Sequence, residues 1–112
     1  MKLGLDLARL AEAAGGKLLA GDPRAPFDAF LTDTRALKAG DYFWALAGEK
    51  HDAHDFLAST LAASPAGWIC REDRLPAGPR PPAVVAVKDT LKALQSLAAF
   101  HRRRFSPASA QK

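Results

Sequence analysis

Two short polar stretches stand where this chain could hold a ligand. Thr32-Asp33-Thr34-Arg35 follows one apolar run, and Gly48-Glu49-Lys50-His51 follows the next. In α/β sheets, ligands bind in crevices beside strand ends, where loops splay apart and leave backbone amides free. The hydroxyls of Thr32 and Thr34 can donate or accept, as a uracil edge requires. Arg35 and Lys50 can meet phosphate charge, the first as a bidentate fork and the second as a point charge. From spacing alone an ordinary polar turn, with Arg35 as a surface ion-pair partner, explains the first stretch equally well.

A second cluster, His51, Asp52, His54 and Asp55, offers two imidazoles and two carboxylates and so invites a metal. His51 and His54 are three apart across a loop-to-helix junction, with nothing distant to complete the shell. The better reading is structural, with helix-start capping and polar loop contacts. No catalytic constellation emerges elsewhere. The chain has neither a Gly-x-x-x-x-Gly-Lys-Ser/Thr loop nor a Gly-x-Gly-x-x-Gly fingerprint, and Ser59, Ser64 and Ser96 lie in no nucleophile motif. Cys70, the single cysteine, sits in the apolar run Trp68-Ile69-Cys70, which predicts a buried thiol and excludes an intrachain disulfide.

The elements that must position these residues alternate between strand and helix. Asp6 is placed to cap a first helix whose apolar face is Leu7, Leu10, Ala11 and Ala14, with Gly15-Gly16 as its stop. Lys17 to Ala20 reads as a strand closed by the turn Gly21-Asp22-Pro23. A second strand is expected through Phe27, Ala29 and Leu31. The turn Leu37 to Asp41, with Gly40 at positive φ, leads to the continuous apolar run Tyr42 to Leu46, a strand covered on both faces. A helix capped by Asp52 runs through Leu61 to Ala63 and is stopped by Pro65. Strands at Trp68-Ile69-Cys70 and Ala83 to Val87 flank a proline-rich surface connection, Pro76 to Pro82. Asp89 caps a last helix with Leu91, Leu94, Leu97, Ala98 and Phe105 along one stripe. The fold class is therefore α/β: a small mixed, partly parallel sheet flanked by helices.

The bulk composition agrees with one compact domain. The chain has 112 residues, and 16 Lys+Arg against 12 Asp+Glu give a formal charge of +4. The excess is concentrated in Arg102-Arg103-Arg104, a run that fits a solvated helix end. A small basic nucleic-acid-binding module is a distant alternative, because the aromatic run Tyr42-Phe43-Trp44 reads as a buried strand and not as a stacking surface. The start lacks the apolar stretch of a signal peptide, and no apolar segment is long enough to span a bilayer. A soluble cytoplasmic domain without membrane insertion is expected.

The motifs, taken in order, resemble the Mur ligase family. Thr32-Asp33-Thr34-Arg35, Gly40-Asp41-Tyr42-Phe43 and Ala45-Leu46-Ala47-Gly48-Glu49 are similar to the family's Asp-Ser/Thr-Arg, Gly-Asp-x-Phe and Ala-Leu-x-Gly-Glu. Asp52-Ala53-His54-Asp55-Phe56 and Val87-Lys88-Asp89-Thr90-Leu91-Lys92-Ala93-Leu94-Gln95 look like segments of the branch that adds D-alanyl-D-alanine. The alternative branch adds the preceding amino acid, diaminopimelate or lysine. The resemblance implies a substrate-binding N-terminal domain over residues 1–105, then a linker over residues 106–112 toward missing central and C-terminal domains. Its ligand would be the UDP end of UDP-N-acetylmuramoyl-tripeptide in peptidoglycan synthesis. By position, Thr32 and Thr34 match residues that contact the uridine in the related diaminopimelate- or lysine-adding enzymes, Glu49, Lys50 and His51 match a loop that closes over the nucleotide in those relatives, and Arg35 is either a ligand contact or an anchor of the turn through Asp33 or Asp41. ATP and Mg²⁺ would serve the full-length ligase, with no cofactor, metal ligand or catalytic residue in this chain, which alone is not expected to be active. One departure is Trp68, which follows Gly67 where the family commonly has Ala and should alter packing near the third strand.

Overall fold

The computed structural model describes residues 4–47 and 52–105. Strand β1 (Leu5–Asp6) leads directly into helix α1 (Leu7–Ala14), where the Asp6 carboxylate accepts from the Arg9 amide at 2.8 Å. Leu7, Leu10, Ala11 and Ala14 are the buried face, as their helical spacing requires. Gly15, at φ 72°, ends the helix in the left-handed region, and the Gly16 amide donates to the Ala11 carbonyl at 2.8 Å. The chain then enters β2 (Lys17–Ala20), turns, and forms β3 (Pro26–Phe27), which pairs antiparallel with β1 as a separate two-stranded ribbon.

The main sheet adds β4 (Tyr42–Trp44), β5 (Gly67–Arg71) and β6 (Ala83–Val87) to β2, in the order β2-β6-β5-β4. The last three strands run parallel, and β2 closes one edge antiparallel to β6. The sheet is thus mixed and partly parallel, as the alternation of elements predicts. Its inner strands, Gly-Trp-Ile-Cys and Ala-Val-Val-Ala-Val, are buried on both faces, the condition that makes parallel strands almost uniformly apolar.

Side chains alternate between two cores. Trp44, Ile69 and Val85 face α1 and helix α3 (Thr90–Phe105), whereas Phe43, Trp68, Cys70 and Val84 face helix α2 (Leu57–Thr60). Both tryptophans are fully buried, and each indole has a partner: Trp44 Nε1 donates to the Thr90 carbonyl at 3.0 Å and Trp68 Nε1 to Thr60 Oγ1 at 2.7 Å. The unusual Trp68 is therefore accommodated through a hydroxyl on α2. Next to it Gly67 is obligatory for packing, since a Cβ there would lie 2.7 Å from the Ala83 carbonyl oxygen.

Three expectations needed correction. The strand expected through Phe27, Ala29 and Leu31 is split. Its first part pairs with β1, while Leu31 crosses to the sheet edge and makes a single parallel bridge to Phe43. The alternation holds at both ends, but the partners differ, so no continuous ladder forms. The helix after Asp52 is a succession of short pieces, a 3-10 turn at Ala53–Phe56, α2, and a second 3-10 turn at Leu61–Ala63. Ser59 and Thr60 hydroxyls donate back to the Phe56 and Leu57 carbonyls, a competition that disfavours a regular helix. Ser64, at φ 55°, ends it one residue before Pro65.

The third correction concerns α3. Asp89 caps it by accepting from the Leu91 and Lys92 amides at 2.9 and 3.1 Å. The buried stripe is Thr90, Ala93 and Leu97, with Leu94 and Phe100 packed beside it, while Leu91 is 52% exposed. Leu91 is two residues from Ala93 and therefore about 200° away around the helix, on the solvent side. The side chain of Phe105 lies outside the description.

Candidate functional site

A cleft of about 510 Å³ opens just beyond the C-terminal end of β4. Thr32, Asp33 and Thr34 form one wall, Ala53 and Phe56 the other, and Phe43, Leu46 and Ala47 the floor. The parallel strands carry this position because β4 ends at its edge and the connections on either side turn away from it. Phe56 is 46% exposed, an unusual state for a large aromatic, and contributes an apolar face to the cleft.

The threonine wall is shaped by a small carboxylate device. Asp33 starts a 3-10 turn over Thr34–Ala36 by accepting from the Arg35 amide at 2.9 Å. The same carboxylate takes the Arg35 side chain in two parallel bonds, from Nε at 3.1 Å and Nη2 at 2.9 Å. The Arg35 hydrogen bonds draw the Asp33 carboxyl below its ordinary range and raise the guanidinium in return. Arg35 is 89% exposed at its side chain and lies outside the cleft lining, folded onto Asp33. Asp41 instead accepts from the Lys38 amide at 2.8 Å. Among the described residues, no protein group engages the hydroxyl of Thr32 or Thr34.

The opposite wall begins where the second polar stretch ends. Gly48, Glu49, Lys50 and His51 lie outside the described residues, but the residues flanking them meet. Ala47 and Asp52 form an antiparallel bridge, and the Ala53 amide donates to the Leu46 carbonyl at 3.0 Å. Asp52 caps the next turn by accepting from the His54 amide at 2.9 Å. Its Oδ1 also lies 2.6 Å from His54 Nδ1, and its Oδ2 accepts from Arg74 at 2.6 Å. Burial works to raise the Asp52 carboxyl, but the His54 hydrogen bonds and the Arg74 charge hold it below the ordinary value.

His54 is buried, with no exposed side-chain surface. Its Nε2 is 2.9 Å from the Arg71 amide, which can only donate. Nε2 is therefore the acceptor, and Nδ1 carries the proton given to Asp52. With both ring nitrogens committed inside the protein, His54 has no lone pair left for a metal ion. Among the described residues, no group of three or more His, Cys, Asp or Glu is arranged to hold one. The capping interpretation of Asp52 and His54 accounts for their positions.

Thr32 and Thr34 are thus brought to the cleft, and Arg35 to its outer rim. Sequence reasoning missed Phe56, Ala53 and, above all, Arg71 and Arg74. The charged run Arg71-Glu72-Asp73-Arg74 directly after an apolar strand was a usable signal, because it marks a strand end beside the other two. A smaller cleft of about 380 Å³ continues from Ala47 past Arg71 and Lys88 to the start of α3. Phe43 and Trp44 are buried, which removes them as stacking surfaces for bases. Cys70 is buried too, and burial pushes its thiol up to about 11.

No protein-family model matches the chain. Among curated proteins, the UDP-N-acetylmuramoyl-tripeptide–D-alanyl-D-alanine ligase of Synechocystis is 42% identical over 76 residues, spanning 67% of this chain and 16% of that protein. Among solved structures, the UDP-N-acetylmuramoylalanyl-D-glutamyl-2,6-diaminopimelate–D-alanyl-D-alanyl ligase of Acinetobacter baumannii superposes on 92% of the chain with a TM-score of 0.77 and 31% identity, over 22% of its own length. The corresponding ligase of Thermotoga maritima, solved in complex with ADP, matches 69% of this chain and 17% of its own at TM-score 0.55 and 25% identity. The chain therefore spans about a fifth or less of the length of these relatives. By sequence and by fold, it belongs with the D-alanyl-D-alanine-adding ligases of the Mur ligase family.

Proposed function

We propose that the cleft beyond β4 holds the uridine end of UDP-N-acetylmuramoyl-tripeptide. The chain would serve as the substrate-binding domain of an ATP-dependent ligase that adds D-alanyl-D-alanine in peptidoglycan synthesis. The observation that carries this reading is the pairing of two hydroxyls that no described residue engages, Thr32 and Thr34, with the apolar surface of Leu46 and the exposed Phe56 ring in one cleft. A planar base needs both, an apolar face to lie against and donors or acceptors along its edge. Glu49, Lys50 and His51, which follow Ala47 and Gly48 in sequence, are assigned to the same ligand by the family motif, Lys50 as a positive charge for the diphosphate. Arg35 acts mainly by holding the turn that presents the threonines, through its fork on Asp33.

The chemistry belongs to the full-length ligase. There, ATP would phosphorylate the terminal carboxylate of the tripeptide, and the dipeptide amine would displace phosphate to form the new amide. Parts of the ligase outside this chain would bind ATP and Mg²⁺. This reading treats residues 1–105 as the substrate-binding unit and residues 106–112 as a linker. Among the described residues, no helix is long and apolar enough to cross a membrane. We assign the reaction to the cytoplasm, where nucleotide-linked substrates and ATP are both available.

Isothermal calorimetry of this chain with UDP-N-acetylmuramoyl-tripeptide and with UDP tests the proposal. Weak saturable binding of both is expected, with most of the affinity retained by UDP. Absence of heat with the substrate, while a full-length ligase binds it, would overturn the assignment of an autonomous site here.

A further inference from the structure

We infer that Arg74 is a positioning residue for the ligand cleft, acting through Asp52 and His54 to set the wall formed by Ala53 and Phe56. The inference rests on the nucleotide reading of that cleft but concerns a residue on a different strand connection. Arg74 belongs to the 3-10 turn Glu72–Arg74 after β5 and is absent from the cleft lining. Its two terminal nitrogens diverge onto two carboxylates of the wall segment: Nη1 to Asp52 Oδ2 at 2.6 Å and Nη2 to Asp55 Oδ1 at 2.5 Å. From the same side, the Arg71 amide donates to His54 Nε2 at 2.9 Å, and His54 Nδ1 returns to Asp52 Oδ1 at 2.6 Å.

The segment Asp52–Phe56 is consequently held from two directions. One set of bonds runs to the end of β4, through the Ala47 bridge and the Ala53 amide to Leu46. The other runs to the end of β5, through Arg71 and Arg74. The first fixes where the segment starts, and the second fixes its rotation about that start, hence the distance between Phe56 and the threonine wall. The segment has only short, irregular helical turns of its own, so the ion pairs supply rigidity that a regular helix would otherwise give. The two guanidinium nitrogens reach the two carboxylates separately, whereas a lysine would have to meet both from a single nitrogen.

The test combines Arg74→Ala and Arg74→Lys in the full chain, read by UDP titration calorimetry and by NMR. Thermal unfolding with Trp44 and Trp68 emission first establishes that each variant folds. Arg74→Ala is expected to weaken UDP binding about tenfold, the worth of a charged hydrogen bond, and Arg74→Lys to recover only part of that loss. Independently of ligand, the amides of Ala53 and Phe56 and the imidazole nitrogens of His54 should shift in both variants, while those of Leu10 and Leu97 stay in place. If wild-type chain binds UDP and both variants bind it equally, the positioning role is overturned and the nucleotide reading stands. If the wild type has no UDP affinity, the nucleotide reading falls and the ligand role of Arg74 with it. Unmoved Ala53, Phe56 and His54 resonances in a folded Arg74→Ala chain would overturn the clasp itself.

Discussion

Tyr42 and Phe43 are neighbours in β4, yet they line different clefts, of about 550 and about 510 Å³. The first cleft lies at the start of the strand, with Pro26, Asp28, Phe30 and Lys38 around it. Its two aromatic side chains are each packed on a buried core ring, Tyr42 on Phe27 at 4.8 Å and Phe30 on Trp44 at 4.9 Å between ring centroids. Lys38 and Asp41 spend their backbone and carboxylate groups closing the turn between them. The second cleft lies past the strand's end, and its two threonine hydroxyls are uncommitted among the described residues. Volume does not distinguish the two. What differs is the chemistry left over: the charged side chains of Asp28 and Lys38 in the first cleft, and two neutral hydroxyls beside an apolar wall in the second.

The comparison can be broken most directly at its floor. Phe43 is fully buried while also lining the second cleft, so Phe43→Ala should destabilise the chain by about 3–5 kcal/mol. Urea unfolding measures it, and a loss below about 1 kcal/mol would mean that the cleft floor is not part of the core. Next in size is Thr34→Val, which keeps the volume and removes the hydroxyl. One hydrogen bond of about 0.5–1.5 kcal/mol corresponds to an approximately 2- to 12-fold loss of UDP affinity. Unchanged affinity would remove Thr34 from base recognition.

A smaller, pH-dependent effect separates the walls. The folded-state carboxyl of Asp52 lies below its ordinary value, with burial opposed by the His54 hydrogen bonds and the Arg74 charge. Its stabilising contribution is complete above the unfolded value of about 3.9 and is lost as the pH falls through the lower folded value. The stability gap between wild type and Asp52→Asn should therefore be constant from pH 7 to about 5 and narrow below about pH 4; urea midpoints across that range show it. A gap that widened on acidification would contradict the assignment. The least effect is expected in the first cleft. Lys38→Ala should leave UDP affinity unchanged by calorimetry, and a clear loss would transfer the site to the other end of β4.

Most of the fold was legible because it follows from local rules. Asp6, Asp52 and Asp89 each cap the turn or helix they precede. β2 and β6 coincide with the strands expected at Lys17–Ala20 and Ala83–Val87. What failed was partner choice. The Phe27 to Leu31 alternation was correct in period and still did not make one strand, because its ends pair with β1 and β4 respectively. Leu91 had the right residue type for a buried stripe and the wrong angle. At the site, Thr32 and Thr34 could be found from their position after an apolar run. The charged run after an apolar strand marks Arg74 as a strand-end residue, but its partners, 22 and 19 positions away, could not be read from it.

The sequence by itself determined the four strands of the main sheet, the caps, the glycine at position 15 that must take positive φ, and the family motifs from Thr32 to Gln95. These depend on periodicity and on residues within a few positions of each other. Tertiary structure decided which strand ends lie side by side, and that Arg71 and Arg74 grip the segment from Asp52 to Phe56. Those contacts join separate connections of a parallel sheet, and only the sheet's order brings them within reach.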